Sequence, residues 1–226
     1  MNILNNLKPE NVFMDPFPHL IIENALPENV YSQLESSFPG PEFCEELCVR
    51  KKARSILNDP SVNSLWVDFV DYHTSDEFFH QALDVLNFEV PPGSVGVRNL
   101  EGGDYVTDVS SVTHKPINTT TRTPHLDNPV EIYAGLLYMK HTNDVSSGGG
   151  FVIHSLEYVK SLFGKSYEVT VQNPIKYIPY KANNFVMFLN TRNSIHSVEP
   201  RDNPTMVRRS VNIIGEYNDG NVMWQP

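Results

Sequence analysis

From residue 95 onward the chain runs in short alternating apolar and polar segments, each cut off by Gly, Asn or Pro, and this punctuation constrains the fold most. Segments 95–99, 105–113, 121–127, 131–140, 150–155, 167–178, 184–189, 194–199 and 206–217 read as strands. Many short strands with period-two patterning must bury alternate side chains against a second layer, which predicts a β-sandwich or barrel. Pro174 and Pro179 mark the 167–178 segment as bent or at a sheet edge. Residues 156–163 read as one or two inserted helical turns. The first 90 residues have a different period. Residues 17–27 form a short strand leading into a helix over 27–38, where Val30, Leu34 and Phe38 fall at helical spacing. A second helical stripe carries Val62, Leu65, Trp66, Phe69 and Val70, then Phe78, Phe79, Ala82, Leu83 and Leu86. Ser75-Asp76 divides it, with Ser75 placed to cap the second helix. These stripes predict helices that buttress one side of a sheet. With 226 residues and no repeat or low-complexity linker, one domain over 1–226 is the economical reading. Residues 1–90 supply a strand and buttressing helices, and 95–217 supply the β core.

Within the β half, Thr-Pro-His-Leu-Asp-Asn places His125 and Asp127 two residues apart. On an extended strand such residues point the same way, with Cα atoms about 6–7 Å apart, so both reach one metal. An isolated His-x-Asp is commonly surface polarity. It gains meaning from His196, which opens a strand after the apolar run 185–189 and the polar loop Asn190-Thr191-Arg192-Asn193. Two histidines and one carboxylate hold one face of an octahedral iron(II), leaving three positions for a chelating cosubstrate and dioxygen. Further on, the β-branched run 207–214 places Arg208, Ser210 and Asn212 on one face. A permanently charged fork two residues from a hydroxyl suits the far carboxylate of a dicarboxylic acid. Arg209 competes for that role. Arg208 is preferred because Arg-x-Ser keeps guanidinium and hydroxyl on the same side.

Together these residues resemble the iron(II)- and 2-oxoglutarate-dependent oxygenases, especially the prolyl-hydroxylase-like branch. That family carries His-x-Asp, a distal His and a basic residue on the last core strand. Ala-Gly-Leu-Leu-Tyr-Met-Lys at 134–140 is similar to the family strand ending in Tyr-Leu-Asn, and Ser-Gly-Gly-Gly-Phe at 147–151 to the Gly-Gly turn after it. Residues 17–27 resemble the family's first strand leading into a helix. The likeness covers roughly 95–217 well and the first half loosely.

The resemblance implies a mainly β fold with flanking α-helices, a double-stranded β-helix (jelly roll, cupin-like barrel). It implies His125, Asp127 and His196 as metal ligands and catalytic residues, with Arg208, Ser210 and Tyr138 binding the cosubstrate. The implied cofactors are iron(II), 2-oxoglutarate and dioxygen, with ascorbate as a further candidate. The implied activity is that of a dioxygenase: oxidative decarboxylation to succinate coupled to hydroxylation of a C–H bond in a prolyl or other residue of a peptide or protein. Asp127 separates this from the halogenating variants, in which a small residue replaces the carboxylate. Two departures stand out. The interval from His196 to Arg208 is slightly longer than is common. The family's tyrosine ahead of the first ligand is missing from 111–116, where Thr113 or His114 is left to take its place. Alternatives are a small-metabolite hydroxylase, a non-catalytic jelly-roll binding protein, and a zinc- or manganese-dependent cupin-type enzyme without cosubstrate.

A net charge of −10, with no basic run longer than Arg50-Lys51-Lys52, argues against nucleic acid as a partner. The first nine residues lack a signal-peptide pattern and no window approaches 18 apolar residues, so no membrane segment is expected and the cytoplasm is the expected location. Cys44 and Cys48, four apart, match neither a zinc knuckle nor a redox motif and read as free thiols. Asn118-Thr119-Thr120 is a formal glycosylation acceptor that means nothing without export. Gly148-Gly149-Gly150 reads as a tight turn, since no phosphate-loop context surrounds it. His19, His73 and His80 read as packing or surface residues. His114 and His154 are secondary site candidates, and Arg122 and Arg192 border the expected barrel mouth. Oligomeric state is left open.

Overall fold

A computed structural model describes residues 1–38, 60–89, 106–108, 111–112, 122–155, 158–159, 167–170, 173–203, 206, 208–217 and 220–225. After a 3-10 turn at Pro9–Asn11 come β1 (Val12–Phe13), β2 (His19–Ile22), α1 (Glu28–Ser36), α2 (Ser64–His73) and α3 (Asp76–Val85). The β half follows with β3 (Val106–Asp108), β4 (Ser111–Val112), β5 (Arg122–Leu126), β6 (Glu131–Tyr138), β7 (Ser147–Gly148) and β8 (Phe151–His154). It continues with β9 (Tyr158–Val159), β10 (Tyr167–Thr170), β11 (Pro174–Ile178), β12 (Phe185–Leu189), β13 (His196–Val198), β14 (Arg201–Asp202) and β15 (Arg208–Glu216).

The strands form two antiparallel sheets. The larger runs β1-β2-β12-β6-β15-β3, with β4 also pairing β15, and the smaller runs β11-β8-β13-β5-β10-β9. A short β7–β14 pair stands beside them. Among the described residues no pairing joins the two sheets into a closed barrel. The fold is mainly β with helices against one side.

Alternation along β12 explains the layering. Phe185, Met187 and Leu189 join the cluster that holds the helices, whereas Val186 and Phe188 join the cluster between the sheets. Strand β15 divides in the same way: Val211 and Ile213 face the helices and Ile214 faces the other sheet. Period two therefore puts Arg208, Ser210 and Asn212 on the inter-sheet face with Ile214. On the helix side, Leu34, Trp66, Phe69, Val70, Phe78, Phe79, Ala82 and Leu83 pack against the large sheet. The Trp66 indole N–H donates to the Leu34 carbonyl (3.1 Å), tying α2 to α1. Each such side chain, fully buried, contributes about 1.5–3 kcal/mol. Gly215 is required by this packing, because a Cβ there would lie 2.4 Å from Cε1 of Tyr133.

Side-chain hydrogen bonds cap the N-termini of α2 and α3. Asn63 accepts from the Leu65 N–H (2.9 Å), and Ser75 accepts from the Phe78 N–H (3.2 Å) as the Ser-Asp break predicts. The 167–178 segment is two strands, β10 and β11, in different positions of one sheet, and Pro174 sits on the edge strand. The expected helical turns at 156–163 are not what the described part adopts: Tyr158 and Val159 pair with Thr170 and Val169. Apolar runs this short do not distinguish helix from strand, and here a partner strand decides. The 95–99 segment, Cys44, Cys48, Thr113, His114 and Asn118 lie outside the described residues.

His73, at the end of α2, is buried with both ring nitrogens engaged. Nδ1 donates to the Phe69 carbonyl (2.7 Å) and Nε2 accepts from the Ile3 N–H (3.2 Å). Burial pushes its pKa down to about 3 from the ordinary 6.5. The unfolded chain therefore takes up a proton below about pH 6.5 that the folded chain refuses. Stability is unaffected by this group above that pH and falls on acidification, approaching ~1.4 kcal/mol per pH unit down to about pH 3. Denaturant titrations at pH 7.5 and pH 5 are expected to show the loss. A His73→Leu variant, weaker at neutral pH because Ile3 loses its acceptor, should show a flatter slope.

Candidate metal centre

Strands β5 and β13 are antiparallel neighbours in the smaller sheet, and their register sets His196 directly opposite His125. The two rings stand 4.3 Å apart between centroids. Asp127 follows β5 by one residue and turns its carboxylate between them, with Oδ1 3.6 Å from His125 Nε2 and Oδ2 3.5 Å from His196 Nε2. One ligand atom from each of the three lies within 4.8 Å of the others, a group that can hold a metal ion. Both imidazoles are buried, and the Asp127 side chain is 11 % exposed.

The backbone sets the tautomers. His125 Nδ1 contacts the Thr123 carbonyl (2.7 Å) and His196 Nδ1 the Ser194 carbonyl (2.9 Å). A carbonyl only accepts, so each Nδ1 carries a proton, and Nε2 is the nitrogen that each ring turns toward the carboxylate. Metal-binding histidines commonly donate their other ring N–H to a backbone carbonyl in this way, which fixes the ring's orientation. Nε2 of His125 is buried with no hydrogen-bond partner among the described residues, an expensive state for a lone pair unless a cation occupies the position. With bonds of about 2.1 Å at right angles, ligand atoms sit about 3 Å apart, slightly closer than here and within reach of small side-chain rotations. The residues present fit a metal.

Aromatic packing fixes His196 further. Phe151 stacks on it at 4.9 Å and 16°, and Phe188, from the opposite sheet, lies 4.7 Å away. His154 does not join the triad. Its Nε2 meets Ser197 Oγ at 2.7 Å, and burial, then the charge of His125, lower its pKa.

Of the two arginines on β15, Arg208 takes the inter-sheet face. It is buried, its Nε donates to the Gly149 carbonyl (2.9 Å), and its guanidinium lies 5.1 Å from both the Tyr138 and the Tyr180 ring centroids. Among the described residues it has no carboxylate partner, and its Nη2 has no hydrogen-bond acceptor. Arg209 turns to α1, where it pairs with Glu35, donates to the Met139 carbonyl (3.1 Å) and stacks on Phe38. Ser210 is buried opposite Tyr138 in the β15–β6 register. Burial raises the Tyr138 pKa, opposed by the neighbouring Arg208 charge, so the hydroxyl stays protonated. Tyr138 and Tyr180 belong to the same inter-sheet cluster as Phe151 and Phe188, which flank His196. The arginine and the triad thus border one layer of core.

Three features escaped sequence reasoning. Arg201 forms a buried ion pair with Asp144 (2.9 Å) and contacts Ser146. The β7–β14 register pairs Arg201 with Gly148, which brings this group beside Gly149, the residue that accepts from Arg208. Gly148 and Gly149 both have positive φ, and a Cβ on Gly148 would lie 2.0 Å from the Pro200 carbonyl oxygen. That accounts for consecutive glycines in the turn. Tyr180 has no local signal, since its role comes from distant neighbours. Asn190 carries a weak one, a polar residue directly after the apolar run of β12. Arg192, expected at the mouth, donates instead to the Gln225 carbonyl (2.8 Å), and the side chain of Arg122 lies outside the described residues. Among the described residues no helix is long and apolar enough to cross a membrane. No protein-family model and no curated protein matches this chain.

Proposed function

We propose that the chain is an iron(II)- and 2-oxoglutarate-dependent dioxygenase of the prolyl-hydroxylase-like kind, folded as a double-stranded β-helix, and that it hydroxylates a C–H bond of a prolyl or other residue in a peptide or protein. One observation carries the reading. A His/Asp/His group able to hold a metal and a buried guanidinium that has no carboxylate partner among the described residues face the same layer between two antiparallel sheets. A structural metal site explains the first and leaves the second, a buried cation with no carboxylate beside it among the described residues, without purpose.

In this reading His125 Nε2, His196 Nε2 and one Asp127 oxygen hold iron(II), and the Thr123 and Ser194 carbonyls keep both rings in the ligating tautomer. Arg208 and Ser210 take the distal carboxylate of 2-oxoglutarate, and the neutral Tyr138 hydroxyl donates beside them. The bound iron and 2-oxoglutarate supply dioxygen activation, with release of succinate and carbon dioxide. Phe151 and Phe188 pack on the His196 ring and keep water from it.

The test incubates the protein with iron(II), 2-oxoglutarate and either a proline-containing peptide library or a cell extract. Products 16 mass units heavier and succinate release, both dependent on 2-oxoglutarate and both lost in Asp127→Ala, are expected. Metal binding with neither product nor succinate would leave a binding protein and end the enzyme reading.

A further inference from the structure

We propose that Asn190 is a positioning residue that holds the Asp127 and His196 loops in ligating register, an inference that rests on the metal centre of the preceding reading and not on its cosubstrate or substrate. Asn190 is fully buried at the end of β12, in the loop that leads to His196. Its amide spends both hydrogens on the other ligand loop, donating to the Asn128 carbonyl (2.7 Å) and the Glu131 carbonyl (2.9 Å). Asn128 is the neighbour of Asp127. The Ser194 hydroxyl donates to the Thr191 carbonyl (2.7 Å) and also lies 3.3 Å from the Asn190 carbonyl oxygen, and the Ser194 backbone carbonyl accepts from His196 Nδ1.

One side chain thereby links, through two short paths, the carboxylate on one loop to the imidazole on the next. The link crosses 62 positions of sequence, and the register of β5 against β13 shifts beside it, between His196 and Val198. Strand pairing at such an irregularity leaves the angle between loops less constrained, and a side-chain bridge restores it. Hydrogen-bond partners behind the ligands set ligand orientation, and their loss costs about 10–100-fold in metal affinity.

The experiment compares Asn190→Asp, Asn190→Ala and Ser194→Ala with wild type, using cobalt(II) as probe and reading both its dissociation constant and its visible d–d spectrum. Asn190→Asp keeps the shape and removes both donors. The control is Asn183→Ala. Asn183 is another buried asparagine that bridges backbone, to Leu26 N–H (2.9 Å) and Leu26 carbonyl (2.8 Å), away from the triad. The Asn190 variants are expected to bind cobalt(II) about 10–100-fold more weakly, with an altered spectrum, while circular dichroism shows them folded. Ser194→Ala, which cuts the single weaker link, should fall between them and wild type, and Asn183→Ala should lose thermal stability while its affinity stays within about twofold. If Asn190→Asp misfolds, the Ser194→Ala spectrum decides alone. Wild-type affinity and spectrum in the folded variants would overturn the positioning role while leaving the metal centre standing. A wild type that binds no cobalt(II) would remove both, and that outcome is read before any variant.

Discussion

Alanine at His125 is expected to weaken iron(II) binding by more than the roughly 10–100-fold that a supporting hydrogen bond costs, because a ligand atom itself is lost. Asp127→Ala should do the same and should also remove the charge that offsets a divalent cation among two neutral imidazoles. The three substitutions differ in their effect on stability. His125→Ala and Asp127→Ala leave Phe151 and Phe188 packed on His196 and should unfold closer to wild type. His196→Ala removes a ring held between Phe151 and Phe188, and a lower melting temperature is expected in addition to lost metal. Equilibrium dialysis with iron(II) under nitrogen, beside thermal melts, reads both. Wild-type affinity in the His125 and Asp127 variants would show that the three side chains share a location and no ion.

Arg208→Met is expected to raise the dissociation constant for 2-oxoglutarate by between roughly 30-fold and several thousand-fold, since cutting one partner from a buried charge pair costs about 2–5 kcal/mol. Iron(II) affinity should stay unchanged. Methionine keeps the apolar stem against Tyr138 and Tyr180, so the loss reports the charge. Arg209→Met is the matched comparison. Among the described residues it leaves the buried Glu35 carboxylate with only the His141 ring, 3.8 Å away, and it cuts a tie between α1 and β15, so melting temperature falls while 2-oxoglutarate binding holds. The reverse outcome would give the carboxylate role to Arg209. Indifference of both would remove 2-oxoglutarate from the account and favour a metal enzyme or binding protein without a diacid.

Local chemistry made much of this centre readable in sequence. His125 and Asp127 lie two apart at a strand end, and His196 opens a strand whose approach is a typical turn. Period two puts Arg208 on the face shared with Ser210, and the two arginine side chains lie on opposite sides of β15; which of them meets a carboxylate is decided by the paired methionine variants. Asn190, Tyr180 and the Asp144–Arg201 pair were not readable. Each is defined by partners tens of residues away, and single residues of those types carry no periodic signal. The 156–163 segment failed for the related reason that a short apolar run takes whatever pairing a neighbouring strand offers, here β10. Layering was legible from alternation and closure was not, because alternation reports which face is buried and says nothing of which edges pair.

Anaerobic titration of the protein with iron(II) and then with 2-oxoglutarate tests the central claim most directly. A weak visible charge-transfer band that needs both additions, disappears in Asp127→Ala and requires far more 2-oxoglutarate in Arg208→Met is the predicted result. Saturable iron(II) binding whose spectrum is indifferent to 2-oxoglutarate at any concentration would contradict it.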